Sequence, residues 1–386
     1  MKKQSTSYNS VLSPLTADEF FSTAWESSYQ HISRNDPDYF AKLVSVDAIE
    51  SYLGTSDAYF PAVQVVQNDR DISRFDYTDE TQRIIQQSLA QHYRDGATLI
   101  ISEAHKKFAT LANLCRQFTQ DFQMRCQTNL YLSPPGNQGF RSHYDTHEVF
   151  ILQVQGSKTF RFYESDVALP FPDDQYDPEQ NPHTTITHEV NLKAGDTLYI
   201  PRGLVHDAEA QSEEPSLHIT LGVFPVVLRD VLQSAVQITA ERNLKLRTAQ
   251  VPTAINTLAT VDDLKALMES ALTPEIIEEA RSRALDDLAF AVTPACDSLL
   301  ATVDLQDNTS VSINRSAVLT TEFDDGSCKL RLFGQVMSFH EPMASALKHL
   351  VSSTRIQISE LPGLDQEQRL ALGKHLLQAN ALIVHA

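Results

Sequence analysis

A mainly β core, preceded by helices and followed by a helical segment and a small mixed domain, is the architecture this sequence predicts. Three observations carry that reading. Between Gln127 and Val223, short strand-like runs are separated by Pro/Gly turns, the pattern of a barrel or sandwich. Ahead of that stretch apolar residues recur mainly at helical intervals, and after Pro225 the helical period returns. The last part, from Leu300, mixes short strands with two helices in an order that fits a small winged-helix unit. The implied division is 1–225, 226–298 and 299–386.

Taken in order, Thr16 stands three residues before Glu19, the spacing of a capping box, with Phe20, Phe21, Ala24 and Trp25 following on a helix. Ser45 is placed to cap a second helix over 45–53. A strand is expected over 59–66, a helix over 80–92, a strand over 97–102 and an amphipathic helix over 108–122. In Thr128–Ser133, Leu130 and Leu132 alternate with Asn129, Tyr131 and Ser133, giving one apolar and one polar face. The run 134–139 must be a loop, and Val149–Val154 is apolar throughout, as a strand buried on both faces would be. Lys158–Tyr163 is the next strand. The Pro- and Asp-rich stretch 166–183 is a surface excursion of the kind that covers sites. Strands are expected over 184–192, 196–200 and 216–223, then helices over 226–247, 260–271 and 274–291. Beyond them come a strand pair within 329–339, a helix at 342–352, a strand at 355–358, a helix at 365–378 and a strand at 382–384.

At 386 residues the chain exceeds the roughly 250–300 at which single cores stop growing, so two or three domains are expected. Fifty acidic against 31 basic residues give a formal charge of -19, which repels a phosphate backbone and favours a basic partner. Nucleic-acid binding is therefore not expected. No uninterrupted apolar run reaches about 18 residues and the first residues lack an apolar signal core, so neither a membrane span nor export is expected and the location is read as cytoplasmic. Cys115, Cys126, Cys296 and Cys328 show no CxxC spacing and read as reduced thiols.

The chemistry gathers in 128–163. His143 and Asp145 are two residues apart, which on extended backbone points both side chains the same way. His206, presented by the Pro201–Gly203 turn, would complete two histidines and one carboxylate, the arrangement of non-haem Fe(II) sites that keep open positions. The 63 residues separating His143 from His206 leave room for four strands. Lys158 shares strand parity with Phe160 and Phe162 and should point inward, where an ammonium needs an anionic partner. That partner is read as the distal carboxylate of a dicarboxylate such as 2-oxoglutarate. Asn129, Tyr131, His218 and Thr220 would line the same interior with polar groups. His147 and Glu148 are not assigned as ligands, His183 and His188 are read as solvated, and for Arg141 and Arg202 a surface role is at least as well supported as substrate contact.

The run 129–163, with Leu198–His206 after it, resembles the JmjC/cupin oxygenases of the ribosomal oxygenase type, Fe(II)- and 2-oxoglutarate-dependent protein hydroxylases. The resemblance implies a double-stranded β-helix, cupin-like JmjC barrel over the first 225 residues, then a helical dimerisation segment and a C-terminal winged-helix-like domain that does not bind DNA. It assigns His143, Asp145 and His206 to the metal and Lys158 to the cosubstrate C5 carboxylate, and it places Asn129 and Tyr131 near the cosubstrate. The implied activity is hydroxylation of a side chain in a basic, ribosomal-protein-like polypeptide by a homodimer. A tailoring oxygenase acting on a biosynthetic peptide is the alternative, and a non-enzymatic metal-binding cupin a second one. Lysine demethylation would need a methyl-lysine cage that the sequence does not reveal.

Overall fold

The structure is a computed structural model that describes residues 11–67, 70–139, 141–164, 167–178, 185–211, 214–252, 259–292 and 304–385. The chain divides into two compact units, Met1–Pro225 and Val226–Ala386.

The first unit is built on two facing sheets. Strands β1 (Gln30–Ile32), β2 (Val63–Val66), β3 (Thr98–Ile101), β4 (Arg125–Ser133), β5 (Glu148–Gln155), β8 (Thr197–Ile200) and β10 (Ser216–Phe224) form a seven-stranded sheet in the order β1-β8-β5-β10-β4-β3-β2. Strands β6 (Ser157–Tyr163), β7 (Ile186–Lys193) and β9 (His206–Ala210) form a three-stranded sheet in the order β7-β6-β9. All of their pairings are antiparallel.

Strand β5 explains its own composition. Phe150, Leu152 and Val154 point into a core shared with the helices, whereas Val149 and Ile151 pack against Phe160, Phe162 and Leu192 of the smaller sheet. Both faces are buried, so no polar alternation survives. On β4 only one face is apolar: Leu130 and Leu132 enter the helix-side core, and Asn129 and Tyr131 face the interior between the sheets.

Helix α1 (Ala17–Thr23) carries the expected capping box, with Thr16 and Glu19 satisfying each other's backbone amides. It delivers Phe20, fully buried, edge-on to Tyr199 at 4.9 Å between ring centroids, while Trp25 stacks on the same tyrosine at 5.8 Å. Helix α2 (Val46–Thr55) is capped by Ser45. Helix α3 spans Gln86–Arg94, not 80–92, because Asp79 Oδ1 accepts from the amides of Thr81 and Arg83 and holds that segment in a turn. The strand expected over 59–66 is confined to Val63–Val66; Pro61 has no N–H to give a ladder. Strand β1, unrecognised in the sequence, pairs along β8 at the sheet edge.

Helix α4 (Ala109–Phe122) buries Leu111, Leu114, Cys115 and Phe118 against the sheet. Leu111 is 0% exposed, so Leu111→Ala is expected to lower unfolding free energy by about 2–5 kcal/mol, the transfer loss plus the cavity left behind. Urea titration of the two proteins checks this.

The second unit opens with α5 (Leu228–Arg242), α6 (Val261–Ala271) and α7 (Pro274–Ala291). The long helix expected over 226–247 breaks at Asn243, whose side chain accepts from the Lys245 amide and starts a 3-10 turn. Strands β11 (Ser310–Ile313), β15 (Ile356–Gln357) and β16 (Leu382–His385) make one small sheet, and β12 (Val318–Asp324), β13 (Ser327–Leu332) and β14 (Gln335–His340) a meander. Helices α8 (Met343–Ser352) and α9 (Gln366–Gln378) complete the unit. Arg331 on β13, fully buried, reaches Asp286 of α7 at 2.6 Å and Glu322 at 2.7 Å. Among the described residues, no helix is long and apolar enough to cross a membrane. Cys115, Cys126 and Cys328 are buried free thiols, and Cys296 lies outside the described residues.

Candidate metal centre

A cavity of about 110 Å³ lies between the two sheets. At one end, ligand atoms of His143, Asp145 and His206 fall within 4.8 Å of one another, with His206 Nε2 3.7 Å from Asp145 Oδ2. The two histidines are brought together by backbone pairing: His143 N–H donates to the His206 carbonyl at 3.0 Å and His206 N–H to the His143 carbonyl at 2.8 Å. Their rings sit 4.9 Å apart. The parity argument for the His-x-Asp pair holds. Tyr144, between them, turns the other way, is buried and donates its hydroxyl to the Asp174 carbonyl at 2.9 Å. Residues 167–178 of the acidic excursion thereby lie against the ligand loops at Tyr144 and Gly203. Gly203, with φ at +87°, lets this happen, since a Cβ there would come within 2.6 Å of the Val167 carbonyl oxygen.

The donor set fits a divalent transition metal. Each histidine spends Nδ1 on a carbonyl, His143 on Arg141 at 2.9 Å and His206 on Leu204 at 3.0 Å, which orients Nε2 of both rings for coordination. Burial pushes the Asp145 carboxyl up, but the His143, His206 and His147 rings outweigh it and hold it below its ordinary range, so it stays anionic. Burial and the neighbouring His143 keep His206 neutral, the form that coordinates. Two imidazoles and one carboxylate on one side of a cavity form a facial triad with open positions.

At the other end lies Lys158, 4% exposed, its Nζ donating to Ser133 Oγ at 3.2 Å. Ser133 is in turn bonded to Thr98 at 2.9 Å. Burial pushes the ammonium down to about 8, and no carboxylate among the described residues forms an ion pair with it. Strand register sets the remaining polar lining: β10 pairs with β4 so that Thr220 faces Asn129 and His218 faces Tyr131, the latter two stacked at 4.9 Å. Asn129 Oδ1 also accepts from the Glu103 amide at 3.0 Å.

One other expectation is corrected here, for Arg202. Arg202 has no surface role: its side chain is only 10% exposed and pairs with Glu26 at 2.6 Å. Glu148, fully buried, turns away from the triad to accept from the Tyr199 hydroxyl at 2.6 Å. His147 stays outside the ligand set, its Nδ1 3.9 Å from Asp145 and its ring stacked on Phe224 at 4.8 Å. His188 is exposed, but lies against the Tyr29 ring at 5.5 Å; His183 is outside the described residues. Sequence reading missed Ser133 and Thr98 beside Lys158. Ser133 was findable, since it shares parity with Asn129 and Tyr131. Thr98 comes from a distant strand and carried no local signal.

Comparison with known proteins agrees with this fold. The JmjC domain family matches residues 103–231. The chain is 27% identical over 433 residues to the bifunctional lysine-specific demethylase and histidyl-hydroxylase NO66 of Drosophila willistoni, covering 97% of this chain and 56% of that protein. It is 32% identical over 249 residues to the same protein of Drosophila grimshawi, covering 61% and 34%. The chain thus spans about half the length, or less, of the relatives it matches. Among solved structures, Escherichia coli YcfD superposes with a TM-score of 0.58 at 18% identity over 96% of this chain and 99% of that one. The complex of YcfD, a ribosomal oxygenase, with cobalt and 2-oxoglutarate gives 0.56 at 17% over 97% and 99%. Residues 103–231 thus match the JmjC domain family, and the chain shares its fold with YcfD.

Proposed function

We propose that this chain is an Fe(II)- and 2-oxoglutarate-dependent oxygenase that hydroxylates a side chain of a polypeptide. One observation carries the reading: the facial triad and a buried lysine without an ion-pair partner among the described residues occupy opposite ends of one cavity. A metal-binding cupin without catalysis has no use for that buried cation. Bound iron and 2-oxoglutarate supply the oxidative decarboxylation that is coupled to C–H hydroxylation. His143, Asp145 and His206 hold the metal, and their carbonyl partners keep the rings from rotating. Lys158 and Ser133 take the C5 carboxylate; Asn129, Tyr131 and Thr220 hydrogen-bond along the cosubstrate. Tyr144 ties the acidic excursion to the loop that carries His143 and Asp145.

A basic substrate is supported by the charge of -19 and by the acidic stretch beside the site. YcfD is described as a ribosomal oxygenase and NO66 as a histidyl-hydroxylase, which supports a protein substrate here. A homodimer through residues 226–298 is supported by Leu228, Leu244 and Val261, each more than 60% exposed. For 299–386 we retain a winged-helix-like role without DNA binding, and for the whole chain a cytoplasmic location without a membrane or nucleic-acid partner.

With Fe(II), 2-oxoglutarate and a panel of basic ribosomal-protein peptides, the protein should release succinate and add one oxygen to a peptide, read by mass spectrometry. Failure of the wild type to bind either 2-oxoglutarate or a divalent metal in calorimetry would sink the reading.

A further inference from the structure

Behind the triad, on the side away from the cavity, four residues close a ring. Glu148 Oε2 accepts from the Tyr199 hydroxyl at 2.6 Å and from the Arg202 amide at 3.3 Å. Arg202 Nε lies 3.5 Å from Glu148 Oε1, and its Nη2 donates to Glu26 Oε1 at 2.6 Å. The Glu26 amide returns to the Tyr199 hydroxyl at 2.9 Å. Glu26 itself sits at a φ of +53° just beyond α1, a backbone conformation that side chains seldom adopt.

The positions of these residues in the chain matter more than their number. Glu148 follows Asp145 by three residues and begins β5; Arg202 precedes His206 by four and lies in the turn that presents it. The metal-side contacts between these two loops are backbone bonds, Gly203 to Asp145 at 3.0 Å and the His143–His206 pair. The Glu148–Arg202 pair joins the same loops from behind, and Glu26 ties both to the helix that packs on Tyr199. Burying a carboxylate and a guanidinium is costly, and apolar side chains of similar shape would serve the core as well or better. Placing the pair between two ligand loops gives it a geometric task that stability alone does not require.

We infer that Glu148 and Arg202 are positioning residues that set Asp145 against His206, so that the ring they form with Tyr199 and Glu26 determines how well the triad grips its metal. This inference rests on the metal reading above. Ligand-orienting partners of this kind typically alter metal affinity by about 10–100-fold when removed.

The test is Co(II) binding to the full chain, read by calorimetry and by the visible d–d spectrum. Arg202→Met and Glu148→Leu should weaken Co(II) binding by about 10–100-fold and change the spectrum. Glu148→Gln, whose amide oxygen still accepts from Tyr199 and from the Arg202 amide, should recover most of the affinity. Leu111→Ala, which lowers stability without touching either loop, should bind as the wild type does. If Arg202→Met does not fold, Arg202→Lys keeps the charge but loses the fork that spans Glu148 and Glu26, and should show the same weakening. Affinity and spectrum unchanged in these variants, with only stability reduced, would overturn the inference. Wild-type protein that binds no Co(II) would instead remove the metal reading on which it rests.

Discussion

His206→Ala is expected to abolish metal-dependent turnover of 2-oxoglutarate, by at least about 10³-fold, while leaving the protein folded. Removing one of three protein ligands takes away several kcal/mol of metal binding and polarisation, and each 1.36 kcal/mol is a factor of ten. The fold survives because His206 contributes to it chiefly through its backbone, which pairs with His143 in both directions, and alanine keeps both bonds. Among the described residues its side chain hydrogen-bonds to the Leu204 carbonyl, two positions before it. The measurements are Co(II) calorimetry, succinate release and circular dichroism. Retention of wild-type Co(II) affinity by the variant would exclude His206 from the metal site.

Lys158→Met is expected to act in opposite directions on binding and on stability. A charge-assisted contact to the distal carboxylate is worth about 2–4 kcal/mol in a dry site, so 2-oxoglutarate affinity should fall by about 30- to 1,000-fold with metal affinity unchanged. Stability should rise, because methionine fills a similar space in the cavity lining without a buried charge. The sign of the pH dependence follows from the depressed ammonium. Unfolded, Lys158 titrates near 10.5; folded, near 8. Below pH 8 both states are protonated and the folded state carries the full cost of the buried charge, about 3 kcal/mol. Between pH 8 and 10.5 only the unfolded state holds the proton, so wild-type stability gains on the variant as pH rises through that window. Denaturant titrations of both proteins at pH 7 and pH 10 should show the gap narrowing. A dicarboxylate seated on Lys158 restores its charge, so binding at pH 9 should take up a proton, seen as a dependence of calorimetric heat on the buffer's ionisation enthalpy. Equal affinity of Lys158→Met and wild type for 2-oxoglutarate would refute the assignment.

Much of the site was legible in the chain because it rests on short-range rules. The spacing of His143 and Asp145 and the inward parity of Lys158 follow from backbone periodicity, which needs no knowledge of the fold. Thr16 and Ser45 declared their helices through side chains that cap within three residues. The errors fall where a local pattern was overridden by a contact further off or by an unread turn. Residues 80–85 read as the start of a helix, but Asp79 accepts from the Thr81 and Arg83 amides and holds that segment in a turn. Arg202 reads as a surface residue until Glu26, 176 positions earlier in the sequence, is folded against it. Glu148 was read only against the triad, since nothing near it in sequence announces Tyr199.

The sequence by itself indicated which residues point inward and which chemistry they can offer: His143 and Asp145 through backbone parity, His206 through the turn that presents it, and Lys158 through strand parity. Only the tertiary structure decided that the first three meet at one end of a cavity and the fourth waits at the other. Antiparallel register did this, placing His206 opposite His143 and Thr220 opposite Asn129. Register is a property of paired strands, and a one-residue slip would send every one of those side chains to the other face.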